Sequence, residues 1–217
     1  MTYLVTGGAG FIGSNFLHYL KDHTDTDPED VVVIDNLSYA ADLAYVPSNF
    51  VFEWCDISNE KHVNYIFDKY KPSKVWHFAA ESHVDNSIKN YRPFLESNVI
   101  GTINLLNASL KHEVEKFHHI STDEVYGALD FLDPPFTEET PYNPQNPYSA
   151  SKAASDHFVT AYHNTFGLPT VITNCSNNYG PRQHVEKMIP KTITNIMQGK
   201  KIPVYGKGEN IRDWIYV

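Results

Sequence analysis

The amino-acid sequence predicts an α/β fold: a doubly wound parallel sheet over residues 1–175, followed by the start of a smaller domain over 176–217. Three observations predict it. Short β-branched runs alternate with longer segments of helical period, a glycine-rich turn follows the first run, and the alternation stops after Cys175.

The strand candidates are Tyr3 to Thr6, Val31 to Ile34, Val51 to Trp54, Val75 to Phe78, Phe117 to Ser121 and Thr170 to Thr173. Apolar residues at helical spacing mark Phe11 to Lys21, Glu60 to Tyr70, Phe94 to Lys111 and Tyr148 to Phe166, so right-handed crossovers return the chain to the sheet. Between Asp130 and Pro147, five prolines (134, 135, 141, 144 and 147) forbid a regular helix or central strand. A stiff surface loop is expected there, placed to wall a ligand cleft. After Cys175 the polar Ser176, Asn177 and Asn178 lead to a helical stretch near Glu186 to Met197, then to a tail with Gly199, Pro203, Gly206 and Gly208. The domain boundary is placed near residue 176.

With 41% hydrophobic and 20% charged residues, the chain can bury one sizeable core. Its net charge of -9 is spread without a basic stripe, which disfavours nucleic acid and anionic membranes as partners. An anionic ligand must be captured locally. Cys55 and Cys175 have neither disulfide-framework nor zinc spacing, so a reducing cytoplasm is expected. No apolar run approaches bilayer length. His77, His83, His118 and His119 lack the spacing of a zinc ligand set, so no metal is expected and His83 reads as a structural histidine.

Val5-Thr6-Gly7-Gly8-Ala9-Gly10-Phe11-Ile12-Gly13 joins the first strand to the first helix, where backbone must turn tightly and approach a pyrophosphate at a helix N-terminus. Asp35 ends the second strand 22 residues after Gly13. A carboxylate there accepts hydrogen bonds from a ribose and repels a 2′-phosphate, favouring NAD over NADP; the plainer role is a turn cap with Asn36. Asp56, after the third strand, is either a turn residue or an acceptor for an adenine amino group.

Tyr148 and Lys152, four residues apart, share one helix face. A tyrosine ionises near pH ~10, and an adjacent ammonium with a positive nicotinamide favours the phenolate. Tyr148 is thereby a candidate general base for a sugar hydroxyl, against ordinary surface pairing as the alternative. Thr122, Asp123 and Glu124 stand at the carboxyl end of the fifth strand, the edge where open α/β sheets bind ligands. Two neighbouring carboxyls with unequal pKa values can act as an acid and a base in eliminating water; the bland reading is a solvated turn.

The spacing of Gly7, Gly10 and Gly13 with Tyr148 and Lys152 resembles the extended short-chain dehydrogenase/reductases, which have a Rossmann sheet. Thr122-Asp123-Glu124-Val125-Tyr126-Gly127 is similar to the signature segment of the dTDP-glucose 4,6-dehydratase family. Ala79 to Asp85, Pro147 to Lys152 and Thr173 to Pro181 resemble the same family, and the likeness spans the chain. It implies a hydro-lyase holding NAD and acting on a nucleotide sugar, dTDP-glucose above all. Asp123 would be the acid, Glu124 the base at C5, and Thr122 the hydroxyl partner of Tyr148.

The resemblance also implies cofactor contacts from Gly7, Gly10, Phe11, Ile12, Gly13, Asp35, Asn36, Ser38, Asp56, Ile57, Ala79, Ala80, Ser97, Tyr148, Lys152 and Asn178. Ser82, Thr122 and Asn177 would face the sugar, and Lys187, Met188, Pro203, Tyr205 and Arg212 the nucleotide diphosphate. A homodimer through the helices near 94–111 and 148–166 is expected, as is a substrate domain incomplete at Val217. A sugar-nucleotide epimerase or decarboxylase of the same fold, or an inactive NAD-binding fragment, stays open as an alternative.

Overall fold

A computed structural model describes residues 1–204 and 206–217. Six strands, β1 (Tyr3–Thr6), β2 (Val31–Asp35), β3 (Val51–Trp54), β4 (Lys74–His77), β5 (Lys116–Thr122) and β6 (Thr170–Cys175), form one sheet in the order β3-β2-β1-β4-β5-β6. All five pairings are parallel, as the crossover helices require. Strand order reverses between β1 and β4, which opens a crevice at the carboxyl ends of these strands.

The sheet is buried on both faces because its residues alternate between two apolar sets. Leu4, Val32, Ile34, Val75 and Phe117 pack with Val63, Ile66 and Phe67 of α2 (Glu60–Tyr70) and with Leu105 and Leu106 of α5 (Thr102–Lys111). Val5, Val31 and Val33 point the other way, onto Leu17 and Leu20 of α1 (Phe11–His23) and onto Phe50. The expected strands and helices all form, with ends shifted by a few residues.

The stretch expected as one helix from Phe94 to Lys111 is instead composite. After α3 (Val84–Lys89), a short α4 (Arg92–Phe94) runs into a π-helical turn over Leu95–Gly101 before α5 begins. Gly101, the last residue of that turn, packs against Ile57: a Cβ there would lie 2.6 Å from its side chain. The Thr102 hydroxyl also donates to the Asn98 carbonyl at 2.6 Å. The wider turn brings Ser97 to the crevice and turns Asn98 inward.

Past the main sheet, β7 (Asn177–Tyr179) pairs in parallel with β8 (Trp214–Tyr216), although the polar residues after Cys175 gave no strand signal. Helices α6 (Pro147–Phe166) and α7 (Met188–Met197) complete the elements. The Pro-rich loop does not wall the crevice. Phe136 and Tyr142 instead pack under Tyr126, and Asn143 N donates to the Val125 carbonyl at 2.9 Å. Gly127 (φ 102°) permits that approach, since a Cβ would lie 2.7 Å from the Asn143 carbonyl oxygen. No helix among the described residues is long and apolar enough to cross a membrane.

Two histidines are buried in the sheet. His77 is held between the hydroxyls of Thr6 (2.7 Å) and Thr102 (2.9 Å), and burial, with His119 and Lys152 nearby, holds it well below its ordinary pKa. Burial and the charge of Lys152 push His119 down to about 4. Both rings are neutral when folded but protonate near pH ~6.5 when unfolded, so the unfolded chain binds more protons and stability is lost as the pH is lowered through that range. For His119 alone the unfolding free energy at pH ~5 should lie about 2 kcal/mol below that at pH ~8. Urea titrations at the two pH values measure this, and equal stability would contradict it.

Candidate active site

The crevice is lined first by the glycine turn. Gly7 adopts φ 70° and packs so closely on β4 that a Cβ would lie 2.5 Å from Ala79 N. A Cβ on Gly13 would strike the Gly7 carbonyl oxygen. The glycines therefore let helix α1 start against the strand ends, with Gly10, Phe11 and Ile12 open to the crevice. Such a cradle fits a pyrophosphate on backbone N–H groups.

Asp35 takes the turn role. Its carboxylate accepts from Ala9 N at 3.1 Å and Leu37 N at 2.8 Å, fixing the glycine turn to the end of β2. It also lines the crevice beside Asn36 and Ser38, as a ribose acceptor must. Burial pushes its carboxyl up, against the pull of those backbone donors. Ile57, Ala79, Ala80 and Ser97 line the same end. Asp56 does not: its Oδ1 accepts from Ser58 N (3.0 Å) and Oγ (2.8 Å), the turn role.

At the other end, β5 delivers Thr122 into a 3-10 turn over Asp123–Tyr126, capped by the Thr122 hydroxyl, which accepts from Glu124 N at 3.2 Å. The turn points Asp123 and Glu124 into the crevice. Burial, then the neighbouring Glu124, pushes the Asp123 carboxyl above its ordinary range. Glu124 accepts a hydrogen bond from Asn146 Nδ2 at 3.3 Å.

Helix α6 brings Tyr148 and Lys152 to the same wall, 9% and 3% exposed. Lys152 Nζ donates to the Ile120 carbonyl at 2.9 Å. Thr122 favours the ionised Tyr148 phenol, yet burial and the charge of Glu124 outweigh it and push the pKa up. The lowering expected from Lys152 is not found in the protein chain by itself, where the opposing influence comes from Thr122.

Ser82, Asn177, Asn178, Lys187 and Met188 line this end too. Lys187 Nζ donates to the Ser82 carbonyl at 3.1 Å, tying the segment before α7 to the strand ends. Pro203 and Arg212 are exposed and lie outside the lining; Arg212 turns to the Ile211 carbonyl at 2.7 Å, although its charge reaches Asp123. Tyr205 lies outside the described residues.

Glu81, Glu186, Cys175 and Trp214 also line the crevice and were not foreseen. Glu186 accepts from Tyr39 Oη at 3.0 Å. Neither Glu81 nor Glu186 carried a local motif, because long-range packing brings them together. Asp156, buried behind the wall, did leave a trace: with Tyr148 and Lys152 it forms a polar series at four-residue spacing on a buried face.

The strand order, glycine cradle and Tyr-Lys pair define an extended short-chain dehydrogenase/reductase. A family model described as GDP-mannose 4,6 dehydratase matches residues 4–217. The dTDP-glucose 4,6-dehydratase of Haemophilus influenzae is 50% identical over 100% of this chain and 68% of its own length. For that of Mycobacterium tuberculosis the figures are 50%, 100% and 65%. Among solved structures, the Streptomyces venezuelae dTDP-glucose 4,6-dehydratase with NAD bound superposes with TM-score 0.93 at 43% identity, covering 100% of this chain and 68% of the other. Thermus thermophilus UDP-glucose 4-epimerase, in complex with NAD, gives 0.90 at 32%, covering 100% and 70%. The chain belongs to the dTDP-glucose 4,6-dehydratase family and spans 63–68% of the length of the curated relatives it matches.

Asn146 ties the acid pair to the phenol. It caps α6, accepting from Ser149 N at 2.9 Å while Ser149 Oγ accepts from Asn146 N at 3.1 Å, and it also holds Glu124. Asn146→Ala should cost about 1 kcal/mol of stability, and Asn146→Asp, which keeps the cap, only a few tenths. Denaturant midpoints compare the two; equal losses would contradict the capping role.

Proposed function

We propose that this chain carries the NAD-binding and catalytic portion of a dTDP-glucose 4,6-dehydratase, converting dTDP-glucose to dTDP-4-keto-6-deoxyglucose and water. One observation carries the reading: Thr122, Asp123, Glu124, Tyr148 and Lys152 line a single crevice whose other end is a glycine cradle with a buried strand-end aspartate. The relatives named for this reaction, and their NAD-bound structures, support it. Residues 1–175 are the cofactor and catalytic domain, and 176–217 begin the substrate domain.

The residues present fit NAD: the glycine backbone for its pyrophosphate, Asp35 for its ribose, and Ile57, Ala79, Ala80, Ser97 and Asn178 around its rings. Bound there, NAD supplies the hydride acceptor for C4 and the hydride donor for C6, and its positive ring draws the phenol toward the base range. Tyr148 takes the O4 proton, with Thr122 hydrogen-bonding that oxygen and Lys152 countering the phenolate charge. Oxidation makes the C5 proton acidic; Glu124 removes it, and Asp123 protonates O6 as water leaves. The raised pKa of Asp123 suits an acid. Glu124 then returns a proton to C5.

Ser82 and Asn177 face the sugar. Lys187 and Met188, with Pro203, Tyr205 and Arg212 of the following segment, meet the nucleotide diphosphate. A homodimer through α5 and α6 is supported by Leu95, Ile100 and Phe158, which are exposed on or beside those helices. Free Cys55 and Cys175 support a cytoplasmic setting.

The test is incubation with NAD and dTDP-glucose, followed by mass spectrometry, run on this chain and on a form extended to the length of its relatives. A product lighter by one water from either form is expected; a product of unchanged mass, or none from both, overturns the reading. Asp123→Asn should slow water loss by about 100-fold or more while sparing C4 oxidation, seen as NADH absorbance in a single turnover. Equal loss of both steps would contradict the role of Asp123.

A further inference from the structure

Beyond the crevice lining, Lys152 opens onto a buried polar array that no step above uses. Asp156, His119 and Lys152 are 1%, 0% and 3% exposed. Asp156 Oδ1 lies 3.1 Å from His119 Nε2, and the same nitrogen lies 3.3 Å from Lys152 Nζ and 3.3 Å from Ser155 Oγ. The other carboxylate oxygen of Asp156 accepts from Ser121 Oγ at 2.7 Å and Tyr142 Oη at 3.0 Å.

One ring nitrogen cannot serve both charged neighbours in the same way. With its proton on Nε2, His119 turns that proton toward Asp156 Oδ1, an oxygen with no hydrogen-bond partner among the described residues. With the proton on Nδ1 it would accept from Lys152, but would aim a lone pair at the carboxylate and bury an N–H that has no partner among the described residues. The first tautomer is favoured; the ring then offers Lys152 no acceptor, and the ammonium and the carboxylate act on each other by charge across it.

Asp35 and Asp156 are the buried acids among the described residues, and Asp35 is engaged far away at the end of β2. A buried ammonium and a buried carboxylate are each costly alone, so each explains how the other is tolerated. We propose that Asp156, by its charge across the His119 ring, is a positioning residue that keeps Lys152 an ammonium beside Tyr148. This rests on reading Tyr148 and Lys152 as the base pair.

The groups facing Lys152 are His77 from β4, His119 from β5, Cys175 from β6, and Tyr148 and Asp156 from α6, with Asp123 and Glu124 on the neighbouring turn. Burial lowers the Lys152 pKa, and the charge of Asp156 opposes it most strongly, followed by that of Cys175. Against its own burial, Asp156 is held below its ordinary range by His119, Lys152 and Ser121. Without the Asp156 charge, Lys152 would lose its proton at lower pH, and the phenol would then ionise at higher pH. The pH range of the base pair would narrow from both sides.

The test reads Lys152 directly, so that it is independent of turnover: 13C NMR of lysine-labelled protein, with the signal assigned by Lys152→Met. Asp156→Asn should lower the Lys152 midpoint by about one pH unit or more, and Asp156→Glu should restore most of the shift. In Lys152→Met, the His119 midpoint from 15N NMR should rise from about 4, because coupling between two sites is reciprocal. Should Asp156→Asn fail to fold, this second measurement decides alone. An unmoved Lys152 midpoint in folded Asp156→Asn, or an unmoved His119 midpoint in Lys152→Met, overturns the proposal. If the midpoints move but no dehydration is found, the coupling stands and the assigned reaction falls.

Discussion

Thr122 is the point at which the sheet becomes a site. Its backbone is the last ladder position of β5, opposite Cys175 of β6. Its hydroxyl caps the turn that carries Asp123 and Glu124, donates to Asp123 Oδ1 at 3.3 Å, and favours the ionised form of Tyr148. One side chain thus sets the acid pair against the phenol, and the parallel register behind it sets both against the glycine cradle of β1. Moving Thr122 by one residue would put the acids on the opposite face.

The site is built against electrostatic cost. Burial acts on Asp35, Asp123, Tyr148 and Lys152 alike, in each case against the charged form. The polar partners around them, from backbone N–H groups at Asp35 to the Ile120 carbonyl at Lys152, keep them placed. Burial and the neighbouring Glu124 raise the Asp123 pKa, so the two adjacent carboxyls differ in acidity, as an acid and a base side by side must. The same burial that destabilises these charges makes their interactions strong.

Much of this was legible in the sequence because the signals were local. The strands declared themselves by β-branched runs, the cradle by its glycines, and the acid pair and Tyr-Lys face by spacing along one element. The losses came where distant parts meet. The π turn at Leu95–Gly101 ends where Gly101 packs against Ile57, more than forty residues away, a contact that no helical period reveals. The short strand at Asn177 exists because Trp214–Tyr216 pairs with it. Tertiary packing likewise turned the Pro-rich loop under Tyr126, and it gathered Glu81 and Glu186 into the wall.

The central claim is that two acids and one phenol converge on a single hexose ring. A crystal structure of the chain with NAD and an unreactive dTDP-hexose analogue tests it most directly. The account predicts the Tyr148 hydroxyl in hydrogen-bonding reach of O4, the Glu124 carboxylate over C5, and the Asp123 carboxyl on the C6 substituent. A hexose seated away from these groups, with Asp123 and Glu124 facing solvent, would contradict it.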